Sequence, residues 1–556
     1  MIATIKKYFT LYGWFIWGLI VAFMVLLFWF AFLSDNHLNY FFSSDTLYLP
    51  ALYRDFFQDG YTLNGWRLNQ ASNFFPDMPL FFLLNGIFGD FITATFAYSI
   101  IQYFAIIFIL YLIFKQVKPN LQPSTFVPAI FLFSSFLFLL FIDRNGWMSS
   151  LLNHNSFHNS AFIMSLLCVY LFCKYLNTKS QKTLISILVL SVLSGACDKL
   201  FFICFTIPVA LAVVVLYFFN KEWKVSVKIL VALAIGVIGA VVLWIFFKNN
   251  PYFSLTRPYG NITSKYIQDS WSAFSKQMYG YLTKFSFVMM ITYLSLLSYV
   301  VVSVHVFIKT YKLIKEKKRA NAFFAFELYV LFFTPIVLFA PILAGSYDDI
   351  TSLRYSYFPY ILLPFNLVVL ISSWLNKNKL FRFILNTTFS FLMIGYLLIH
   401  FPVQEFGKGM NRFFNFYPEK ARIIDDYFSE NETLKYGITN EYWTARQVTM
   451  FSKKEVRLYC TFAGGDPWLH VANKHWFTDN DKGKHAHCEF TFLLWSKEKE
   501  IPDFFKTTNP DIQPTDLGQW NLYHVAPYRF IIPGVRFKID PILIDSLEKY
   551  DNQNLF

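Results

Sequence analysis

Charge is scarce in this chain. Asp, Glu, Lys and Arg make up 15% of its 556 residues, and acids are the scarcer sign, 35 against 48 bases. So little charge excludes the ordinary soluble globular class, whose surface must meet water on every side. Internal repeats and low-complexity tracts are also missing, which leaves the repeat symmetry of many transporters without support. Cysteine is sparse as well, at six residues. Cys168, Cys173, Cys197 and Cys204 fall in or beside apolar runs, where a thiol behaves as a small hydrophobe. Cys460 and Cys488 stand apart in the polar C-terminal region.

What the chain has in abundance is apolar and aromatic surface. Hydrophobic residues reach 56%, aromatic residues 21% with 69 Phe, and the mean hydropathy is +0.41. This is the composition of a polytopic membrane protein. The net charge of +13 comes from bases clustered in short segments between apolar runs, so it speaks for membrane orientation and against a nucleic-acid partner.

Apolar runs of bilayer length number about eleven. They begin near Thr10, Phe91, Ser124, Ala161, Leu184, Leu200, Ile229, Phe285, Ala322, Phe358 and Phe383. The first run, from about Thr10 to Leu33, exceeds a signal-peptide core and lacks a small-residue cleavage site, so it is expected to remain as an anchor. Lys6 and Lys7 put the N-terminus on the cytoplasmic side. Alternate connections then carry Lys115 and Lys118, Lys174 to Lys182, Lys221 to Lys228, Lys309 to Arg319, and Lys377 to Arg382. The opposite set holds the distinctive polar chemistry: Ser34 to Asp90, Asp143 to Asn159, the turn Asp198-Lys199, Lys248 to Lys284, and Gly345 to Tyr357. Function is therefore expected on the outer face.

The predicted architecture is mainly α: a transmembrane helical bundle over 1–400 with a large first outer loop, 34–90, and a small α/β domain on the outer face over 401–556. In that domain Glu455 to Tyr459 and Phe490 to Trp495 have strand patterns, and a helix is expected near Pro418 to Ser429.

Within the first outer loop, Ser43-Ser44-Asp45-Thr46-Leu47-Tyr48-Leu49-Pro50 carries the leading catalytic candidate, Asp45. Pro50 fits the first turn of a helix that Gly60 would end. The apolar Leu52, Tyr53, Phe56 and Phe57 then share one side, expected to lie in the membrane interface, with Arg54, Asp55, Gln58 and Asp59 on the other. Asp45 is either a general base at headgroup depth or a cap for that turn. Further on, Asp143 closes the third run, and His154 and His158 would share a helix face at i and i+4, suited to a metal, a phosphate or proton transfer. Lys199 and Arg354 stand at the ends of apolar runs, where cations can grip a phosphate, and Arg54, Arg67 and Arg257 are further cations of that kind. In the C-terminal domain, Gly464-Gly465-Asp466-Pro467 reads as a turn. His485-Ala486-His487-Cys488 offers metal ligands, but an oxidising compartment would pair Cys488 with Cys460 in a disulfide, the reading adopted here.

An acid soon after the first span, Phe75-Pro76-Asp77-Met78-Pro79-Leu80-Phe81-Phe82 leading to the second, Arg354-Tyr355 before a late span, and an outer C-terminal domain together resemble the GT-C glycosyltransferases. These include protein mannosyltransferases and the bacterial enzymes that attach aminoarabinose to lipid A. The resemblance covers about the first 400 residues. It implies Asp45 as the first-loop acid and general base, Asp143 as the second outer-loop acid and Arg354 as the late phosphate-binding cation. The chain departs from the mannosyltransferase pattern where Thr46, not Glu, follows Asp45, and where Pro76 and Pro79 are not adjacent.

The implied activity is inverting transfer of a sugar from a polyprenyl-phosphate carrier to an acceptor lipid, glycan or protein outside a bacterial inner membrane, the C-terminal domain being periplasmic or extracellular. Arg354, Lys199, Arg54, Arg67, His154 and His158 are the expected carrier- and sugar-binding residues. No cofactor is required by this chemistry, with a divalent metal left open. A lipid-linked glycan flippase and a non-catalytic assembly protein are the readings from other classes.

The basic connections generate the topology test. Reporter fusions after Lys182 and Lys317 should read cytoplasmic and one after Phe401 external; a cytoplasmic signal at Phe401 would overturn the outer C-terminal domain.

Overall fold

A computed structural model describes residues 2–138, 152–155, 158–220, 223–256, 262–316, 319–429, 436–462, 467–477, 490–508 and 511–528. Among these, nine helices are long and apolar enough to cross a membrane: Tyr12–Ala31, Phe91–Val117, Asn159–Thr178, Phe202–Phe219, Lys224–Lys248, Phe287–Glu316, Ala322–Leu343, Pro359–Lys377 and Lys379–His400. The runs expected from Ser124 and Leu184 are occupied by shorter apolar helices, Pro123–Phe138 and Gln181–Cys197. Asp143 and Cys488 lie outside the described residues.

Local chemistry sets the helix limits. Gly89 adopts φ +69 at the end of helix Asp77–Phe88, a left-handed conformation that glycine takes without strain. The next residue, Asp90, accepts from the Thr93 amide (2.8 Å) and hydroxyl (2.7 Å) and so starts helix Phe91–Val117. Small residues let the spans approach. A Cβ at Gly236 would lie 2.9 Å from Ser191 Cβ, and one at Gly239 2.8 Å from Val192 Cγ2. Glycine at both positions therefore allows helices Lys224–Lys248 and Gln181–Cys197 to pack closely.

Contacts between connections gather at two ends of the bundle. At one end Asn177 Nδ2 donates to the Gln116 carbonyl (3.1 Å), Lys118 Nζ to Ser373 Oγ (3.3 Å) and Arg382 to Gln122 Oε1 (2.9 Å). The buried Glu327 pairs nearby with Lys309 at 3.1 Å and His305 at 2.5 Å. At the other end the first loop meets the C-terminal region. There β1 (Trp66–Leu68) pairs in parallel with β2 (Ser254–Leu255) and antiparallel with β5 (Ala472–Asn473).

The C-terminal region is built on a second sheet of β3 (Tyr436–Thr439), β4 (Arg457–Cys460), β6 (Phe490–Ser496), β7 (Pro514–Leu517) and β8 (Trp520–Tyr528), in the order β4-β3-β6-β8-β7. Strands β4, β3 and β6 run parallel, and β8 and β7 continue antiparallel. Helices Glu419–Ser429 and Tyr442–Phe451 complete the α/β region.

The helix of the first loop runs from Tyr48 to Phe57, not from Pro50 to Asp59. Asp55 and Asp59 are buried, whereas Phe57 is 62% exposed. The two carboxylates turn inward because they meet polar partners. Asp55 accepts from Trp476 Nε1 (2.9 Å) and Asn473 Nδ2 (3.2 Å), and Asp59 pairs with Arg457 (3.2 Å) and Arg54 (3.6 Å).

This junction generates a pH test. Burial pushes the Asp55 carboxyl up to about 7 from the ordinary 3.8, against the Asn473 and Trp476 donors and Arg54, which pull it down. Between those values the folded state holds a proton that the unfolded chain has released, so stability falls as pH rises through that window and levels off above it. Hydrogen-exchange protection around Asn473 and Trp476, measured relative to the intrinsic exchange rate at each pH, should therefore fall from pH 5 to pH 8. Asp55→Asn should flatten the response, and an unchanged response would remove Asp55 as its source.

Candidate active site

The turn that carries Asp45 is fixed from several sides. The Leu47 amide donates to the Ser43 carbonyl (2.9 Å) and the Tyr48 amide to the Asp45 carbonyl (3.3 Å), closing the turn into the helix that follows. Leu47 stands at the N-cap with no side-chain cap bond, so Asp45 is not the cap of this helix. Ser44 Oγ donates to the Tyr442 carbonyl (3.1 Å), tying the turn to the C-terminal region. Thr46 Oγ1 lies 3.2 Å from Nδ1 of the buried His154, whose ring stands edge-on to Phe41. Burial pushes His154 down to about 3, so it is a neutral partner for the turn and not a phosphate-binding cation at neutral pH.

Asp45 opens onto a cavity of about 450 Å³, which His158, Asp198, Lys199, Arg354 and Tyr355 also line. Arg354 Nη1 lies 3.6 Å from Asp45 Oδ2, each side chain a little over a quarter exposed. Arg354 also donates to the Tyr355 hydroxyl (3.0 Å), and the Tyr355 ring lies 4.9 Å from that of His158. His158 Nδ1 is 2.6 Å from Asp198 Oδ2, and Asp198 Oδ1 accepts from the Leu200 amide (2.9 Å). An ionised Asp198 can only accept, so the proton is on Nδ1 and Nε2 is the nitrogen available to a substrate. Lys199 Nζ lies 4.0 Å from the centre of the Trp244 ring; burial and the neighbouring Lys248 push its ammonium down from the usual lysine value.

Four residues singled out from sequence, Asp45, His158, Lys199 and Arg354, thus share one cavity. Of the others, Arg257 lies with Asp143 outside the described residues, and Arg54, Arg67 and His154 are not part of the cavity lining. Arg54 is partly buried in the junction, donating to the Thr449 carbonyl (2.7 Å) and pairing with Asp59. Arg67 lies on β1, within electrostatic reach of the cavity residue His470. His154 and His158 do not share a helix face: His158 is the N-cap of helix Asn159–Thr178, and His154 precedes it in a non-helical segment behind Asp45. Cys460 is buried, and burial pushes its thiol up to about 12; its expected partner Cys488 is outside the described residues. Among the described residues, no group of three or more His, Cys, Asp or Glu side chains is arranged to hold a metal.

Comparison of the chain with protein-family models and with curated protein sequences returns no match. The site therefore stands on its own residues. Sequence reasoning missed the wall made by Tyr442, Trp443, Trp468 and His470. The available signal was aromatic density in a polar region, since Trp468 follows the Gly-Gly-Asp-Pro turn and His470 follows Trp468 by two.

The His158–Asp198 pair is testable without a substrate. Asp198 fixes which ring nitrogen of His158 is left exposed, so Asp198→Asn should change the rate of carbethoxylation of His158 at pH 7. Peptide mass spectrometry reads the modification, and an equal rate in the variant would separate the two residues functionally.

Proposed function

We propose that this chain is a membrane glycosyltransferase that moves a sugar from a polyprenyl-phosphate carrier to an acceptor on the outer side of the membrane. The observation that carries this reading is the convergence of Asp45, His158, Lys199 and Arg354, from separate connections, on one cavity at the end of the bundle that holds the C-terminal region. An acid and two cations at the ends of lipid-facing helices suit a substrate whose phosphate is anchored by a lipid tail.

The contacts at the two ends also support eleven crossings. Gln122 is tied to Arg382 and His154 to Asp45's neighbour Thr46, contacts at different ends of the bundle that favour counting the run from Ser124 as a crossing. Asn177 and Asp198 are likewise tied to opposite ends, so Gln181–Cys197 traverses it too. An odd number of crossings puts the N-terminus opposite the C-terminal region. Lys6 and Lys7, with the basic connections, assign the N-terminal side to the cytoplasm.

In the proposed reaction, Asp45 takes the proton of the acceptor hydroxyl as its oxygen attacks the anomeric carbon. The bond from that carbon to the carrier phosphate breaks with its electron pair, and polyprenyl phosphate leaves. Arg354 and Lys199 stabilise the charge that grows on the phosphate; attack opposite the leaving group inverts the anomeric centre. His158, oriented by Asp198, is a second proton-handling group on the same cavity. Asp143 remains the second acid that the resemblance implies. A flippase reading is weaker, because the charges gather at helix ends, with the Glu327, Lys309 and His305 cluster the exception within the spans.

Asp45→Asn keeps the size of the side chain but cannot take a proton at neutral pH. Turnover should fall by roughly two to four orders of magnitude. The variant also removes the charge that competes for Arg354, so binding of polyprenyl phosphate should hold or tighten. Transfer measured with labelled polyprenyl-phosphate sugars, beside thermal protection by polyprenyl phosphate, checks both. Near wild-type turnover would strip Asp45 of this role.

A further inference from the structure

The C-terminal region contributes a cluster of rings to the cavity that Asp45 and Arg354 also line. Trp468 and His470 stack with centroids 5.6 Å apart and planes 24° apart. Tyr442 closes the cluster, 5.2 Å from Trp468 and 5.5 Å from His470, both at steep angles. All line the cavity, as does the neighbouring Trp443, which is 41% exposed. Burial, opposed by Asp45 and reinforced by Arg67 and Arg446, pushes His470 down to about 4. Its ring is therefore neutral at pH 7 and acts as an aromatic surface rather than a cation.

These rings do not simply fill a core. Trp468 and His470 are half-buried, and with Trp443 they face a cavity whose size lies in the range of small-molecule sites, about 300–1,000 Å³. The lining is also polar: the amides of Asn69 and Gln70 belong to it with Asp45. An apolar plane with a fringe of donors and acceptors matches one common ligand shape. A pyranose ring presents a C–H face to stack on an aromatic surface and hydroxyls around its edge to hydrogen-bond. A fatty-acyl chain would leave the amides and carboxylate desolvated without partners, which is costly.

We propose that the Trp468–His470 wall is a saccharide-binding subsite and that the acceptor is a sugar or sugar-bearing molecule, stacked on Trp468 with a hydroxyl toward Asp45. This rests on the glycosyl-transfer reading for its direction, the donor phosphate being assigned to Arg354 and Lys199. The two groups of lining residues then divide the work. Cations at the span ends hold the carrier, and rings of the C-terminal region hold the acceptor.

The test uses the full-length protein in nanodiscs with separate probes for each group: an array of immobilised oligosaccharides, and polyprenyl phosphate read as thermal protection. Wild type should be retained on a subset of the glycans. Trp468→Ala should weaken retention on the order of tenfold or more, the scale of losing a central aromatic anchor, with protection by polyprenyl phosphate unchanged. Trp443→Ala removes an exposed ring at little cost to folding and should weaken retention in the same direction, which decides the matter if Trp468→Ala melts early. Protection by polyprenyl phosphate without glycan retention, or retention indifferent to both substitutions, would overturn the wall while leaving the donor reading intact. Glycan retention without protection would support the wall and remove the donor assignment. Loss of both would end both.

Discussion

Burial of charge at the junction between the first loop and the C-terminal region is the constraint on which the site depends. Asp55 and Asp59 enter an interior where an isolated carboxylate could not stay ionised, and their partners Trp476, Asn473 and Arg457 come from the other end of the chain. Neither half can bury its polar face alone. Asn473 is also a β5 residue, paired with Trp66 of β1, so the same contact sets the strand register. Once formed, this junction fixes helix Tyr48–Phe57, and the turn that carries Asp45 is the entry to that helix. A buried network remote from the cavity thereby holds the carboxylate that lines it.

The pairing inside the cavity is of a different kind. Arg354 and Asp45 are 3.6 Å apart and both partly exposed, a geometry in which an ion pair is worth little and is readily exchanged. On the proposed reading that looseness is useful. A carrier phosphodiester offers Arg354 an anionic, multidentate partner in place of a single carboxylate oxygen, one that gains a second charge as it leaves, and the exchange leaves Asp45 free to meet the acceptor proton. The 2.6 Å His158–Asp198 contact, anchored further by the Leu200 amide, is the tighter of the two. One pair can give way to a substrate while the other keeps its geometry.

Much of the bundle was legible in sequence, because the length and apolar character of a span are local properties. Asp45, Lys199, His158 and Arg354 were legible for a related reason: each is a polar residue just beyond an apolar run, where a membrane protein can expose chemistry. The orientation of helix Tyr48–Phe57 was not. Periodicity does not say that Asp55 and Asp59, at i+3 and i+7 from Leu52, are buried with it, because the partners that allow this lie some 400 residues away. His154 and His158 failed as an i, i+4 pair because the helix begins only at Asn159. The aromatic wall was hidden for the same long-range reason, since Tyr442 and Trp468 meet Asp45 only when the C-terminal region folds back onto the first loop.

The depth of the cavity follows from where the helices stop. Asp198 is the C-cap of helix Gln181–Cys197, His158 the N-cap of helix Asn159–Thr178, and Arg354 lies between helices Ala322–Leu343 and Pro359–Lys377. Each charged group thus lies in a connection between apolar helices, Asp198 and His158 directly at a helix end. Helix Gln181–Cys197 has 17 residues, about 26 Å at 1.5 Å per residue, and so ends a little short of a full hydrocarbon thickness. That lowers Asp198 and Lys199 toward the lipid. Lys199 nonetheless has the Trp244 ring for a neighbour, an arrangement that suits an interface better than a hydrocarbon core. A phosphate borne on a lipid tail would meet these groups without leaving its own depth, whereas a soluble partner would approach from the side of the C-terminal rings. The order in which the helices end therefore separates the two approaches before any substrate contact is made.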